Sequence, residues 1–225
     1  MSFVNPYRFI QRGLSSSFVG SNFDVANLAT YTFSSEPIGA VPDSDESRYV
    51  MVTVHTFDNQ TNRTISSVTI GGSAAAEFVQ STVNEGGSSS VVGLYFIELD
   101  TGTTADIVVT FNGQASYGAI GVYRVIGSQD GTLTLHDSAT DNLSNNMTLD
   151  VNTIPKGVVI AGTSLDSGGL ATWSGLTENY DFDANSTEFV SGASTDTNVT
   201  ETRAVSVSLA SGSVETSASV SLKDI

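Results

Sequence analysis

The chain of 225 residues contains no cysteine and only two histidines, His55 and His136. Without cysteine there are no disulfide cross-links, no thiolate zinc centre and no cysteine nucleophile. The histidines are far apart in the sequence, and neither has a partner at the spacing of metal ligands. Glycine-rich segments such as GGSAAAE and GAIGVY lie in predicted strands with no helix after them, which argues against a dinucleotide site. We therefore predict no cofactor and no metal centre.

Long apolar runs are also missing. No segment approaches the length of about 20 apolar residues that spans a bilayer. The opening stretch MSFVNPYRFIQRG lacks the apolar core of a signal peptide. The sequence therefore predicts a protein without a membrane anchor, one that would leave a cell by lysis or by a non-classical route.

Positive charge is scarce, because Lys and Arg number 8 and Asp and Glu number 24, for a formal net charge of −16. Such an acidic surface repels the phosphate backbone of nucleic acids and the anionic headgroups of membranes. We therefore predict no nucleic-acid partner and no membrane partner. Proteins with basic or neutral surfaces remain suitable partners.

Strand patterns fill most of the chain, whereas helical periodicity is almost absent. Short alternating stretches separated by turn residues recur at the spacing typical of a sandwich or a barrel. In RYVMVTVHTF the alternation places Val50, Val52 and Val54 on a core face and His55 on the outward face. We predict an all-β fold: a jelly-roll-like antiparallel β-sandwich of two sheets over residues 21–225, preceded by a short N-terminal arm over residues 1–20.

The first dozen residues differ from the rest of the chain in charge and in aromatic content. They contain no acidic residue. One interpretation is an edge strand packed on its own domain, and the other is an anchor that docks onto another subunit. In the second case the anchoring side chains would be Phe3, Tyr7, Arg8, Phe9 and Arg12.

The segment TADIVVTFNGQASYGAIGVYRV predicts a β-hairpin, because Asn112-Gly113 is a strong signal for a two-residue type I′ turn. Arg124 would then pair near Asp100. The face predicted to lie in the core holds Ile107, Val109, Phe111, Ile120 and Val122. The other face is a candidate subunit interface, with cover by the same chain as the alternative, and it holds Tyr117, Ala119, Gly121 and Tyr123.

A second hairpin is predicted at the C-terminal end, with its turn at Ser211-Gly212. Its alternation indicates one apolar face in the core and one serine face in solvent. The predicted solvent face holds Ser206, Ser208, Ser217, Ser219 and Ser221.

Trp173 and the nearby Tyr180 are candidates for glycan contact, because aromatic rings stack on sugars. The alternative is that a lone tryptophan in a β-sandwich belongs to the core. The segment SLDSGG has only a weak similarity to the loop around a serine-protease nucleophile, and a triad also needs a positioned base and acid. We therefore predict no catalytic residues and interpret this segment as a Gly/Ser turn.

The segment DFDAN begins like a calcium loop, which makes Asp181, Asp183 and Asn185 weak calcium candidates. An EF-hand loop also needs glycine at its sixth position and glutamate at its twelfth. Ser186 and Gly192 stand at those positions. Any calcium site here would therefore be an isolated loop site.

Three stretches together resemble a β-sandwich type found in virion structural proteins of tailed bacteriophages of marine and other aquatic bacteria. They are LATYTFSSEPIGA with SSVTIGG, then GTTADIVVTFNGQASYGAIGVYRV, then LATWSGLTENYD with the serine-rich end. The resemblance extends from about Asn27 to the C-terminus. It implies a virion location, assembly into oligomers and no enzyme activity, and it leaves head or tail open.

The leading hypothesis is a non-enzymatic decoration or cement protein on the capsid exterior. It would bind the major capsid protein or other virion proteins through the N-terminal arm and form homo-oligomers, with the trimer favoured. The alternative is a receptor-binding module of a tail fibre or spike that touches host glycans through Trp173 and Tyr180. A glycan-cleaving enzyme would need two positioned carboxylates, and no motif indicates such a pair.

Overall fold

The structure is a computed structural model that describes residues 13–60, 62–166, 169–185, 188–210 and 214–225. These residues form antiparallel β-strands and no helix, so the predicted all-β class is confirmed. Within the same ranges, no helix is long and apolar enough to cross a bilayer.

The strands fall into two halves of the chain. The first half contains β1 (Ser15–Asp24), β2 (Leu28–Pro37), β3 (Glu46–Asp58), β4 (Ile65–Ile70), β5 (Ser73–Ala74), β6 (Ala76–Glu85), β7 (Ser88–Glu98), β8 (Thr104–Ala115) and β9 (Gly118–Ser128). The second half contains β10 (Leu133–Asn142), β11 (Asn146–Thr148), β12 (Val151–Thr153), β13 (Gly157–Leu165), β14 (Thr172–Ser174), β15 (Thr177–Asp183), β16 (Phe189–Thr197), β17 (Glu201–Arg203), β18 (Ser206–Ser208) and β19 (Thr216–Asp224).

Each half forms its own sandwich. In the first half, sheet A has the strand order β1-β9-β3-β7-β6 and sheet B the order β2-β8-β4-β5. In the second half, sheet C has the order β10-β19-β13-β16-β15, and it is covered by sheet D (β11-β18-β14) and by the β12-β17 pair. The jelly-roll topology is not confirmed by these strand orders.

The two sandwiches stack face to face, and three cores separate the layers. Sheets B and A enclose one core, sheets A and C a second, and sheets C and D a third. Sheets A and C are therefore inner layers, buried on both faces, and β3 shows the result in an almost unbroken buried run. This stack has more layers than the single sandwich of two sheets predicted from the sequence.

The N-terminal boundary also differs from the prediction. Strand β1 begins at Ser15 and pairs with β9 as far as Asp24. The predicted boundary after residue 20 thus falls inside a strand of sheet A, and residues 15–20 belong to the sandwich. Five predicted anchors lie outside the described residues: Phe3, Tyr7, Arg8, Phe9 and Arg12.

The predicted hairpin at Asn112-Gly113 is wrong. Strand β8 runs straight through these residues in sheet B, while β9 lies in sheet A. Asn112 bonds instead to the residues that precede β4. Its backbone N–H donates to Thr64 O (3.1 Å), and its side-chain Nδ2 donates to Asn62 O (2.6 Å). These tertiary hydrogen bonds outweigh the local turn preference.

The predicted core face of that segment is nevertheless buried in one core, between sheets B and A. Its residues meet across the sandwich from opposite sheets and do not lie side by side in a hairpin. They are Ile107, Val109, Phe111, Ile120 and Val122.

The predicted C-terminal hairpin is wrong as well, because β18 lies in sheet D and β19 in sheet C. The serine face of β19 is buried under the outer sheet and not exposed to solvent. Ser217 Oγ donates to Thr163 Oγ1 (2.8 Å), and Ser219 Oγ donates to Leu149 O (3.0 Å). Serine suits this position because it is small, and the hydroxyls of Ser217 and Ser219 find partners within the core.

Candidate functional site

The core between sheets A and C, which we call the seam, contains Tyr180 and the four residues predicted as a subunit interface. Tyr180 lies at its centre. This tyrosine projects inward from β15. Its ring fits over Gly121 of the facing strand β9 and over Gly192 of β16, the neighbour of β15 in sheet C. A Cβ atom added to Gly121 would lie 2.3 Å from the Tyr180 ring, and one added to Gly192 would lie 2.4 Å from it. The ring can occupy this place only because both positions lack a side chain.

The Tyr180 hydroxyl joins two polar side chains of β3. It lies 2.6 Å from Thr53 Oγ1 and 2.7 Å from His55 Nε2. Thr53 Oγ1 also donates to Gly121 O at 3.3 Å. Residues from both sandwiches therefore meet in one buried hydrogen-bond network.

His55 is fully buried, so the predicted outward orientation is wrong. The valines of β3 face the core between sheets B and A, and the alternate positions face the seam. Desolvation lowers the pKa of His55 to about 3, which keeps the imidazole neutral. Its Nδ1 has no hydrogen-bond partner among the described residues.

The predicted subunit interface is also wrong. Its four residues lie in the seam, because sheet C of the same chain covers them: Tyr117, Ala119, Gly121 and Tyr123. The Tyr117 hydroxyl lies 3.1 Å from Ser164 Oγ of β13, which shows how directly the second sandwich covers this face. The structure therefore agrees with the alternative interpretation, in which the same chain covers this face.

The predicted glycan platform does not form. Trp173 packs in the core between sheets C and D, and its Nε1 donates to Ser191 Oγ at 2.8 Å. Tyr180 belongs to the seam, on the other face of sheet C. Their exposed fractions are only 9% and 7%, so neither ring offers a face to a sugar.

The predicted calcium residues Asp181, Asp183 and Asn185 lie at the end of β15 and just after it. Asp183 Oδ1 accepts the backbone N–H of Asn185 at 3.0 Å. Both carboxylate oxygens of Asp181 are buried without a hydrogen-bond partner in the described chain, and burial raises the pKa of this carboxyl to about 7. The described residues include no group of three His, Asp or Glu side chains placed to hold a metal ion.

A buried arginine that the sequence did not indicate closes the loops at one end of sheet A. Arg48 is fully buried, and its guanidinium donates to five backbone carbonyls, those of Gly39, Ala40, Leu99, Thr101 and Gly102. Its backbone N–H also donates to Asp100 Oδ1 at 2.7 Å. Arg124, predicted to pair near Asp100, reaches the same group of loops, where its Nε donates to Ala40 O at 3.0 Å.

An open cleft lies on the outer face of sheet B, lined by Ser35, Thr104, Asp106 and the Gly71-Gly72 turn. Ser35 has a positive φ of 55°, which is unusual for a residue with a side chain. Its N–H donates to Asp106 Oδ1 at 2.8 Å, so this carboxylate holds the bend in place. The cleft thus presents hydroxyl and carboxylate oxygens on a well-defined backbone.

A partly exposed aromatic surface lies where β1 and β15, the outermost strands of sheets A and C, run close together. The Phe23 and Phe182 rings stack at 5.2 Å, and Phe18 stacks on Tyr180 at 5.4 Å. Phe23 is 44% exposed. We call this surface the aromatic edge, defined by Phe18, Phe23 and Phe182. Its neighbours on the two strands include the exposed carboxylates of Asp24, Glu178 and Asp183.

The sequence could not indicate the aromatic edge, because Phe182 is more than 150 residues from Phe18 and Phe23 along the chain and meets them only through the stacking of the sandwiches. Comparisons with protein-family models, with curated proteins and with solved structures each gave no match.

Proposed function

We propose that the chain is a non-enzymatic structural protein on the exterior of a tailed-phage virion, with capsid decoration as its role. In this role it joins the major capsid lattice through residues 1–12 and forms trimers. The sequence resemblance to tailed-phage virion proteins supports the virion location. A capsid exterior needs compact, rigid subunits, and the four-layer stack with its hydrogen-bonded seam suits that need.

The observation that carries the proposal is the division of charge along the chain. Residues 1–12 hold two of the eight Lys and Arg residues and none of the 24 Asp and Glu residues, so that segment has a formal charge of +2 and residues 13–225 have −18. Three arginines of residues 13–225, which we call the body, are buried or paired within it. Arg48 is buried, Arg63 pairs with Asp58 at 2.6 Å, and Arg203 pairs with Glu201 at 2.9 Å. A basic aromatic segment on an acidic body is suited to attach that body to other subunits.

The test is to locate the protein on purified particles. Immunogold labelling should mark the heads, and a variant lacking residues 1–12 should fail to rebind particles from which the protein has been stripped. Circular dichroism shows whether that variant keeps its fold. Absence of the protein from purified particles would overturn the proposal, and label confined to the tail would overturn its decoration role.

The alternative, a receptor-binding module of a tail fibre or spike, now needs a different glycan surface. Trp173 and Tyr180 are buried, whereas the cleft on sheet B presents a carboxylate and hydroxyl groups that can hydrogen-bond a sugar. Asp106→Asn would test this candidate on a glycan array. Saturable binding that this substitution abolishes would favour the receptor role.

A further inference from the structure

The aromatic edge combines two features that favour the addition of another strand. Among the strands that the described residues form, β1 and β15 each pair with a neighbour on one side only. An outermost strand offers unpaired backbone groups to an incoming segment. The neighbouring rings of Phe23 and Phe182 offer apolar area beside those groups.

The charges around the aromatic edge indicate what kind of segment would bind. Asp24, Glu178 and Asp183 are exposed on the two strands. A second copy of the same surface would be repelled by these carboxylates, since like charges across an interface cost free energy. A basic segment with aromatic side chains would be attracted, and residues 1–12 of this chain have that composition.

The start of β1, which follows closely after residues 1–12, is held by contacts within its own chain. Gly13 packs so closely on Lys156 that an added Cβ would lie 2.1 Å from the lysine Cβ, and Leu14 N donates to Lys156 O at 2.8 Å. Ser16 N, on the same side of β1, donates to Asp196 Oδ1 at 2.9 Å. The unpaired side of β1 is therefore covered at its start by the chain itself. A same-chain arm folding back onto β1 would have to displace these bonds, whereas an arm from a neighbouring copy would not.

We infer that residues 7–12 of one copy bind as an added strand at the aromatic edge of the next copy, beside residues 18–24. Pro6 has no N–H to contribute to pairing, so the pairing stretch begins after it. Alternation then places Tyr7 and Phe9 on one face and Arg8 and Arg12 on the other. The aromatic pair meets Phe23 and Phe182, and the arginines meet the carboxylates.

This inference rests on the proposed function, because it names the partner of the same arm. When residues 7–12 pair with a neighbouring copy along one edge, their other edge remains available to pair with the major capsid lattice. Contacts of this head-to-tail kind close into a ring when the rotation permits, and this agrees with the predicted trimer.

The first experiment measures the oligomeric state of the full chain by light scattering after gel filtration. The wild type should be oligomeric, and Arg8→Glu/Arg12→Glu and Glu178→Lys/Asp183→Lys should each be monomeric. Combining the two double variants should restore the oligomer, because the charges are exchanged. Asp130→Lys and Val199→Ser change exposed residues elsewhere and should leave the oligomer intact. A monomeric wild type, or an oligomer that neither double variant weakens, would overturn the inference.

A second experiment uses a labelled synthetic peptide of residues 1–12 as the probe. It should bind saturably to the Arg8→Glu/Arg12→Glu full chain, whose aromatic edge is intact, and about tenfold more weakly when Phe23→Ser is added. Equal binding to both proteins would contradict the inference. A protein that is monomeric in solution yet binds particles would refute only the inference. An arm-dependent oligomer that is absent from particles would refute only the proposed function.

Discussion

The Tyr180 hydroxyl of the second sandwich lies 2.7 Å from His55 Nε2 of the first and 2.6 Å from Thr53 Oγ1. All three side chains are buried. Buried polar groups stabilise a fold when they are paired and cost free energy when they lose a partner. The network therefore links the stability of each sandwich to its contact with the other.

Tyr180→Phe removes the shared hydroxyl and leaves two buried polar groups without it. We expect it to lower the free energy of unfolding by about 1–3 kcal/mol, measured by chemical denaturation. Tyr95→Phe is the matched control, because the Tyr95 hydroxyl bonds the exposed carboxylate of Glu77, which water can solvate. An equal loss in both variants would show that the hydrogen bonds of the seam contribute no more to the free energy of unfolding than the solvated bond of Tyr95.

Gly192→Ala tests the fit of the Tyr180 ring. The new Cβ would lie 2.4 Å from the ring, a distance that forces the ring or the strand to move. We expect a loss of about 1–3 kcal/mol from overpacking, seen as a lower midpoint of thermal unfolding. Gly20→Ala is the control, since its nearest neighbour would be Pro37 at 3.5 Å, an ordinary contact. A wild-type midpoint for Gly192→Ala would contradict the packing of the seam.

Acid should weaken the fold through His55. Its pKa falls from 6.5 to about 3 in the folded protein because burial disfavours the charged imidazole. Between these values the unfolded chain binds more protons than the folded one, so stability falls as the pH decreases through this window. His55→Gln keeps a hydrogen-bonding group without the titration. Denaturation at several pH values should show a shallower loss of stability in this variant, and an unchanged pH slope would contradict the prediction.

Asp181 should make the stability of the fold depend on pH in the opposite direction. Burial, and to a lesser extent the charge of Glu178, raises its pKa from 3.8 to about 7. Here the folded protein binds the extra proton, so stability is full at low pH and falls as the pH rises through this window. Asp181→Asn should therefore gain stability over the wild type at pH values above the window and not below it. Asp183→Asn, at an exposed position two residues along the strand, serves as the control.

Alternation along the sequence predicted which side chains share a core but not which strands pair. Ile107 and Val109 do face the same core as Ile120 and Val122. Burial imposes the period of two whether two strands are neighbours in one sheet or lie opposite each other in a sandwich. The Asn112-Gly113 turn signal could not separate these cases, because the partners of Asn112 lie about 50 residues away in the sequence.

The candidate site was harder to predict, since the sequence does not show how many layers cover a strand. Tyr117 and Tyr123 were correctly separated from the aliphatic face, but their cover comes from the second half of the chain. His55 occupies a position that would be exposed in a single sandwich. It is buried because sheet A is an inner layer of the stack.

Arg48 gives a further test, because its guanidinium joins several loops through backbone carbonyls only. Its five planar donors suit this arrangement, while a lysine ammonium has three donors in a different geometry. Burial, together with the nearby charge of Arg124, lowers the pKa of Arg48. Keeping the guanidinium charged at this buried position therefore costs free energy. Arg48→Lys should therefore destabilise the protein by about 3 kcal/mol or more.

Arg203→Lys is the matched control for that substitution. Arg203 and its partner Glu201 keep side-chain exposures of 24% and 42%, and a solvated pair of this kind contributes less than about 1 kcal/mol. Denaturation of both variants at one pH gives the comparison directly. If Arg48→Lys were as stable as Arg203→Lys, the carbonyls around Arg48 would be satisfied by water, and the buried guanidinium would not be what holds these loops together.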